Sequence, residues 1–348
     1  MKVAINGMGR IGRAIFKVLQ DREEFDLVAV NDLVGVDNLA YLLKYDSVYG
    51  PYDRPVQAGE QELRVGNKTV KAFSERDPAQ LPWNDLGVDL VFECTGLFLK
   101  KEDAEKHLEA GAGFVLLSAP GKSDDIPTVV FGANYPDNGS RIISCASCTT
   151  NCITPVIEII GRRIGVRKAI MTTVHAYTSS QALIDKPNKR FRRGRAAAVS
   201  LVPSTTGAAK ATTRALPQYK DKFDGTGIRC PIPVGSISDI TIVVSKYTSV
   251  DEINDIFREE AGHDQYRGIL AINEDEIVSS DIVQNPHASI VDLTMTQVVD
   301  GDLVKVMSWY DNEWGYSCRV VEAVQHIARH LANAAGSETA AVASTGAR

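Results

Sequence analysis

The sequence predicts an α/β protein in two parts: a doubly wound, mostly parallel sheet, followed by an α+β domain with a mainly antiparallel sheet. Three observations carry this. Over residues 1–147, continuous apolar stretches alternate with helix-like ones, the texture of a parallel sheet buried on both faces. The chain opens on an apolar stretch, a glycine triplet and an amphipathic stretch in direct succession. Beyond residue 148, runs of β-branched alternation follow one another with few helices between them.

Taken in order, Lys2–Asn6 reads as a buried strand, and the stretch from Arg13 to Leu19 as a helix. Between them stands Gly7-Met8-Gly9-Arg10-Ile11-Gly12. In such a turn the first glycine permits the bend, the second admits a pyrophosphate to the backbone, and the third lets helix pack on strand. The next strand, Phe25–Val30, leads to Asp32, about twenty residues on, where a ribose-binding acid belongs. Strand, turn, helix and acid together define a Rossmann dinucleotide site. A carboxylate at Asp32 repels a 2′-phosphate and favours NAD over NADP. Leu39–Lys44 reads as helical, Glu62–Val65 and Thr69–Phe73 as hairpin strands. Val88–Cys94 is a strand, Lys101–Ala110 a helix, and Gly113–Ser118, Thr128–Phe131 and Arg141–Ser144 are strands. Ligands of such sheets lie at the carboxyl ends of strands, which places Asp32, Thr95-Gly96 and Ser118-Ala119 around one crevice. In the second part, Lys168–His175, Gly227–Arg229, Ile237–Val244 and Val304–Tyr310 read as strands and Val250–Ala261 as a helix. The expected domains are 1–147, 148–315, a closing helix within 316–333 (Arg319–Asn333) that packs back on the first domain, and a disordered tail over 334–348.

Cys148 lies between the strand Arg141–Ser144 and a helix carried by Ile153–Ile160. A thiol in the first turn of a helix faces unpaired N–H groups and the positive end of the macrodipole, which favour thiolate. Cys145, Cys148 and Cys152 also have spacings used by metal sites and redox pairs. A structural zinc needs a fourth ligand, and Cys94, Cys230 and Cys318 stand isolated, so no metal is expected. A reversible Cys148 disulfide with Cys145 or Cys152 remains open as a side reaction.

The chain has 348 residues and a net charge of −6, which gives no general attraction to nucleic acid or anionic membranes. No apolar run approaches a membrane span, no signal peptide precedes Lys2, and six cysteines without secretory features point to a reducing cytoplasm. Lys186–Arg195 holds six basic residues. Little aromatic interleaving and an acidic chain argue against nucleic acid there.

Six stretches together resemble one family: Asn6–Arg13, Leu43-Lys44-Tyr45-Asp46, Ala146–Cys152, Thr173–Thr178, Thr205–Lys210 and Trp309–Tyr316. They closely resemble the phosphorylating glyceraldehyde-3-phosphate dehydrogenases, in order, from Lys2 to about Ala332. The resemblance implies a homotetramer that oxidises D-glyceraldehyde 3-phosphate with NAD and inorganic phosphate, in glycolysis or in reverse. It implies that Cys148 is the nucleophile and His175 its base, passing through a hemithioacetal and a thioester. For the substrate phosphate it implies Thr178 and Arg229. For the attacking phosphate it implies Ser147, Thr149, Thr206 and Gly207, with Arg193 nearby. Arg10 and Ile11 match the pyrophosphate turn, Asp32 the adenosine ribose, Arg76 and Ser118 further cofactor contacts, and Asn312 the holder of the nicotinamide amide. Pro187 resembles NAD-using members.

Two positions depart from the family pattern: Cys145 stands where asparagine is common and Ser180 where aspartate is. The stretch Cys230–Ser236 also differs. These leave the chemistry intact and bear on affinity and substrate breadth. Two other functions fit parts of the pattern, an erythrose-4-phosphate dehydrogenase and a non-catalytic nucleotide- or RNA-binding relative. The full phosphate-site set argues against the first, and the presence of both Cys148 and His175 argues against the second.

Overall fold

The computed structural model describes residues 1–134 and 139–324. Its first half runs β1 (Lys2–Asn6), α1 (Arg10–Gln20), β2 (Asp26–Asn31), α2 (Val36–Lys44), β3 (Val56–Ala58), β4 (Glu62–Val65), β5 (Lys68–Phe73), α3 (Trp83–Leu86), β6 (Leu90–Glu93), α4 (Lys101–Glu109), β7 (Phe114–Leu117) and β8 (Ile142–Ser144). These strands form one sheet in the order β3-β4-β5-β2-β1-β6-β7-β8. From β5 to β8 all neighbours are parallel, while β3, β4 and β5 join antiparallel. The central strands are apolar throughout because helices cover both faces: Val3, Ala4, Ile5, Val91 and Phe92 are fully buried. The strand order reverses at β1, so a crevice opens beyond its carboxyl end, where the glycine turn begins.

One expected strand does not form. Thr128 makes only an isolated bridge to Ser144. The Asn134 side chain folds back, its amide donating to the Thr128 carbonyl and its oxygen accepting from the Val130 N–H. That closes a turn through Gly132 (φ +86°) where residues 129–131 would have extended. Short, half-exposed β3 carries no apolar signal and was not expected.

The second half runs α5 (Cys148–Arg163), β9 (Val166–Ala176), β10 (Val202–Thr205), α6 (Ala208–Ala215), β11 (Phe223–Cys230), β12 (Ser236–Val244), α7 (Val250–Ala261), β13 (Leu270–Asn273), β14 (Ser289–Val299) and β15 (Leu303–Tyr310). The sheet order is β10-β11-β9-β12-β15-β14-β13, with two parallel pairs, β11·β9 and β13·β14, among antiparallel ones. Strict alternation along β12 turns Ile240, Ile242 and Val244 inward, onto Ile153, Val156, Ile157 and Ile160 of α5. The apolar side of α5 thus anchors Cys148 to the second core.

A helix over residues 314–324 starts earlier than the expected Arg319. Its Val320, Val321 and Val324 belong to the same buried cluster as Ile15 and Phe16 of α1. The remainder of that expected helix, and the expected tail over 334–348, lie outside the described residues. Among the described residues no helix is long and apolar enough to cross a membrane.

Candidate active site

The crevice at β1 is built by three glycines with different duties. Gly7 has φ +97°, and a Cβ there would lie 2.7 Å from the Thr95 backbone nitrogen; at Gly12 a Cβ would lie 1.9 Å from the Gly7 carbonyl oxygen. Gly9 is the reverse case: a Cβ there meets no protein atom within 4 Å. Gly12→Ala is therefore expected to cost about 1–3 kcal/mol of stability in chemical denaturation. Gly9→Ala should fold like wild type and weaken cofactor binding alone.

Gly9 caps α1 without a side-chain bond, so the first N–H groups of the helix, on Arg10 and Ile11, lack intrahelical partners. The Arg10 side chain does not serve this turn. Its guanidinium bonds Asp46 (2.6 Å) and Glu313 (2.5 and 2.8 Å), and both carboxylates hold it charged. A cavity of about 320 Å³ is lined by Gly7, Gly9, Asp32, Arg76 and Thr95. Asp32 accepts the Met8 N–H at 2.7 Å and the Val34 N–H at 3.1 Å, which fixes its carboxylate beside the turn. Free helix N–H groups, a glycine open to the crevice and a fixed acid fit a dinucleotide.

A second cavity, about 290 Å³, joins Arg10, Ile11, Ser118 and Asn312 to Ser147, Cys148, His175, Thr178 and Arg229. The Asn312 Oδ1 accepts from Gly235 N–H (3.1 Å) and the Ser236 hydroxyl (2.9 Å), which turns its amide NH₂ away from them as a donor. The Ser118 hydroxyl bonds the Glu93 carbonyl at 3.1 Å.

Cys148 is the first residue of α5. Ser147 caps that helix, its Oγ accepting the Thr150 N–H at 3.2 Å. Just before it, buried Ala146 adopts φ +55°, a conformation rarely taken by alanine. It is held by the Ser144 hydroxyl on its N–H and the Tyr316 hydroxyl on its carbonyl, each 3.0 Å away. This kink turns Cys148 towards the cavity. Its Sγ lies 3.4 Å from His175 Nε2.

His175 stands at the end of β9, opposite Arg229 of β11 in the parallel register. Arg229 Nη1 lies 2.7 Å from His175 Nδ1 and 2.9 Å from the Ala176 carbonyl, and Nδ1 lies 2.7 Å from that carbonyl. Burial, then the charges of Arg229 and Arg193, push the imidazole down to about 3, so it is neutral at pH 7. Nδ1 thus sits between a donor, Arg229, and an acceptor, the Ala176 carbonyl; the tautomer with its hydrogen on Nδ1, Arg229 donating to that same carbonyl, is the one that turns the Nε2 lone pair to sulfur as a base requires. Burial likewise raises the Cys148 thiol, against the pull of Arg229 and the backbone at Thr149. Desolvation therefore works against the thiolate that the helix terminus favours, and the group placed to take the thiol proton is the imidazole beside it.

Thr178 Oγ1 lies 2.9 Å from Ser180 Oγ, which accepts from Arg193 at 3.1 Å. Arg193 also donates twice to Ser204 Oγ, at 2.9 and 3.1 Å. The charges that act most strongly on it, Arg229 and Arg190, are both positive. Thr178 and Arg229 share the cavity, and Arg193, linked to Thr178 through Ser180, adds a second positive charge behind them, a setting suited to a phosphate. Four expected phosphate residues are absent from the lining of the cysteine cavity: Thr149, Arg193, Thr206 and Gly207. Thr149 is buried, its hydroxyl 2.8 Å from that of Tyr310, which in turn meets Thr173 at 2.8 Å. Thr206 and Gly207 form the N-terminus of α6, the Thr206 hydroxyl accepting the Ala208 N–H at 3.2 Å. Sequence reasoning missed Ala146, Glu313, Ser236 and Tyr310. The first left no signal, because nothing marks an alanine for positive φ. Among the described residues no group of three or more His, Cys, Asp or Glu side chains is placed to hold a metal ion.

A dinucleotide crevice opening beside a cysteine–histidine pair is the arrangement of an NAD-dependent oxidoreductase. Comparison with known proteins gives the particular kind. Residues 1–101 match the glyceraldehyde 3-phosphate dehydrogenase NAD binding domain, and residues 147–312 match the C-terminal domain of the same enzymes. The glyceraldehyde-3-phosphate dehydrogenase of Streptomyces coelicolor is 46% identical over 335 residues, 95% of this chain and 99% of its own. That of Thermotoga maritima is 48% identical over 93% of this chain and 98% of its own. That of Geobacillus stearothermophilus is 46% identical over 94% and 98%. The chain belongs to the glyceraldehyde-3-phosphate dehydrogenase family.

Proposed function

We propose that this protein oxidises D-glyceraldehyde 3-phosphate to 1,3-bisphosphoglycerate with NAD and inorganic phosphate, serving glycolysis or gluconeogenesis. The observation that carries the residue roles is the 3.4 Å approach of Cys148 Sγ to His175 Nε2, in a cavity shared with the glycine turn and Asn312. Gly7, Gly9 and Gly12 shape the turn, the N–H groups of Arg10 and Ile11 meet the pyrophosphate, and Asp32 meets the ribose. Arg76 and Ser118 line the cofactor's path, and the Asn312 NH₂ donates to the carboxamide. NAD, when bound, supplies the hydride acceptor.

His175 takes the thiol proton as sulfur adds to the aldehyde carbon, forming a hemithioacetal. The Cys148 N–H, at the head of α5, stabilises the oxyanion. His175 returns that proton to the oxyanion to give the hemithioacetal hydroxyl, and takes it up again as hydride leaves and the carbon becomes a thioester. Phosphate then displaces Cys148 and the acyl phosphate leaves. Thr178 and Arg229, with Arg193 beside them, hold the substrate phosphate. Ser147, Thr149, Thr206 and Gly207 form the subsite for the attacking phosphate, and the buried Thr149 hydroxyl would act there by repositioning from Tyr310.

The same reading divides the chain into a cofactor domain (1–147), a catalytic domain (148–315) and a C-terminal helix returning to the first. It also makes the enzyme a cytoplasmic homotetramer. The support for assembly is an exposed apolar run flanking the basic loop, with Leu183, Ile184, Phe191 and Val199 each at least 75% exposed.

The test is NADH formation from glyceraldehyde 3-phosphate and NAD with and without inorganic phosphate. Sustained turnover with phosphate, and about one equivalent of NADH per site without it, is the expected result. Equal turnover in both would overturn the thioester route.

A further inference from the structure

Beneath the cofactor crevice lies a buried acidic side chain that the chemistry above does not use. Glu93, the last residue of β6, is 0% exposed, as is its neighbour His107 of α4. Both carboxylate oxygens of Glu93 are filled by donors. Oε2 accepts the Asn6 amide at 2.6 Å and His107 Nε2 at 3.1 Å; Oε1 accepts the Thr95 N–H at 2.7 Å and the Thr95 hydroxyl. The histidine tautomer is fixed, because Trp83 Nε1 donates to Nδ1 at 3.0 Å and leaves the hydrogen on Nε2. Four contacts thus fill both oxygens of the Glu93 side chain. Among the described residues its partner across the salt-bridge distance is that neutral imidazole. A buried acidic side chain answered by neutral donors is a costly choice for packing alone.

Its contacts lead in one direction. Asn6 lies opposite Glu93 in the β1–β6 register, and its Oδ1 accepts from Asn31 of β2 at 2.7 Å. Asn31 clasps the backbone of Glu75 through both ends of its amide, at 2.8 and 2.9 Å, next to Arg76. Thr95 is the residue against whose backbone Gly7 packs. Asn6, Asn31, Glu75 and Thr95 all line the 320 Å³ cavity with Asp32 and Arg76.

We infer that Glu93 is the positioning residue of the cofactor site: its carboxylate, oriented by His107, holds Asn6 and Thr95, and through them the glycine turn and the 75–76 loop, in the shape the adenosine half of the dinucleotide meets. The inference rests on the cofactor reading above. Glutamine at this place offers one oxygen and one NH₂, so two of the four donors would face a donor.

The experiment measures NAD binding by direct titration, and steady-state kinetics with NAD and aldehyde varied separately, on the full chain. For Glu93→Gln, Kd and KM for NAD should rise about tenfold or more. The kcat at saturating NAD, KM for the aldehyde and the alkylation rate of Cys148 should stay within about twofold. Thr95→Val, nearly the same shape, removes one donor and should raise KM for NAD several-fold, and Thr95→Ser should restore it. If Glu93→Gln does not fold, the valine–serine pair decides alone. Unchanged NAD affinity in a folded Glu93→Gln, or in Thr95→Val, overturns the inference, as does a parallel loss in every kinetic constant. Wild-type protein that fails to bind NAD would instead overturn the cofactor reading.

Discussion

Cys148→Ser is expected to lower turnover by about 10⁴-fold or more while leaving NAD affinity within about twofold. Serine preserves the shape at the head of α5, and the Ser147 cap does not depend on sulfur. What changes is the chemistry. A hydroxyl is a far poorer nucleophile at neutral pH, and an oxyester is attacked by phosphate more slowly than a thioester. No other thiol can stand in. Burial raises Cys94, Cys145 and Cys152 to about 12, Cys318 to about 11, and Cys230, whose thiol bonds the His175 carbonyl, in the same direction; none of the five lines the cavity with His175. Steady-state NADH production with a parallel NAD titration measures both quantities. Residual turnover above about one per cent would remove Cys148 from the mechanism.

The cofactor half of the site was legible because its rules are local. A strand, a glycine-spaced turn, a helix and an acid about twenty residues on are fixed by sequence distance, and the structure gathers Gly7, Gly9 and Asp32 around one cavity. The catalytic half is assembled by pairing. Arg229 reaches His175 only because β11 lies parallel to β9, and a run of short strands does not announce which neighbours it will choose or in which direction.

Burial is the other property that sequence conceals. The first turn of α5 advertised donors for Cys148, yet the net direction of its pKa is set by everything packed around it. The same holds for Glu93. On paper it closes an apolar strand, and its four donors come from residues 6, 95 and 107. The failed strand at 128–131 shows a local competitor winning: Asn134 offers the backbone a turn that β-branched residues alone do not foretell.

His175→Asn is expected to slow acylation by about 10²–10⁴-fold near neutral pH, and the deficit should depend on pH in a defined sense. In the wild type the imidazole, held down near 3, stays neutral from about pH 5 upward and accepts the thiol proton throughout. The variant has no acceptor at 3.4 Å from sulfur. Its thiol, raised by burial, must ionise to solvent, so its rate should climb about tenfold per pH unit below the thiol pKa. The two profiles therefore converge as pH rises. Single-turnover acylation across about pH 5–9 reads this directly, and parallel profiles would mean that His175 is not the base.

Stability should move the opposite way. The unfolded wild type binds a proton on His175 below about 6.5 that the folded protein refuses until about 3, so wild-type stability drops as pH is lowered across that window and rises as pH is raised. Asparagine abolishes that loss. Relative to wild type, His175→Asn should gain about 2 kcal/mol between about pH 6.5 and 5 in chemical denaturation. A variant that fails as a catalyst most severely at the pH where it gains most in stability separates a missing proton acceptor from a damaged fold.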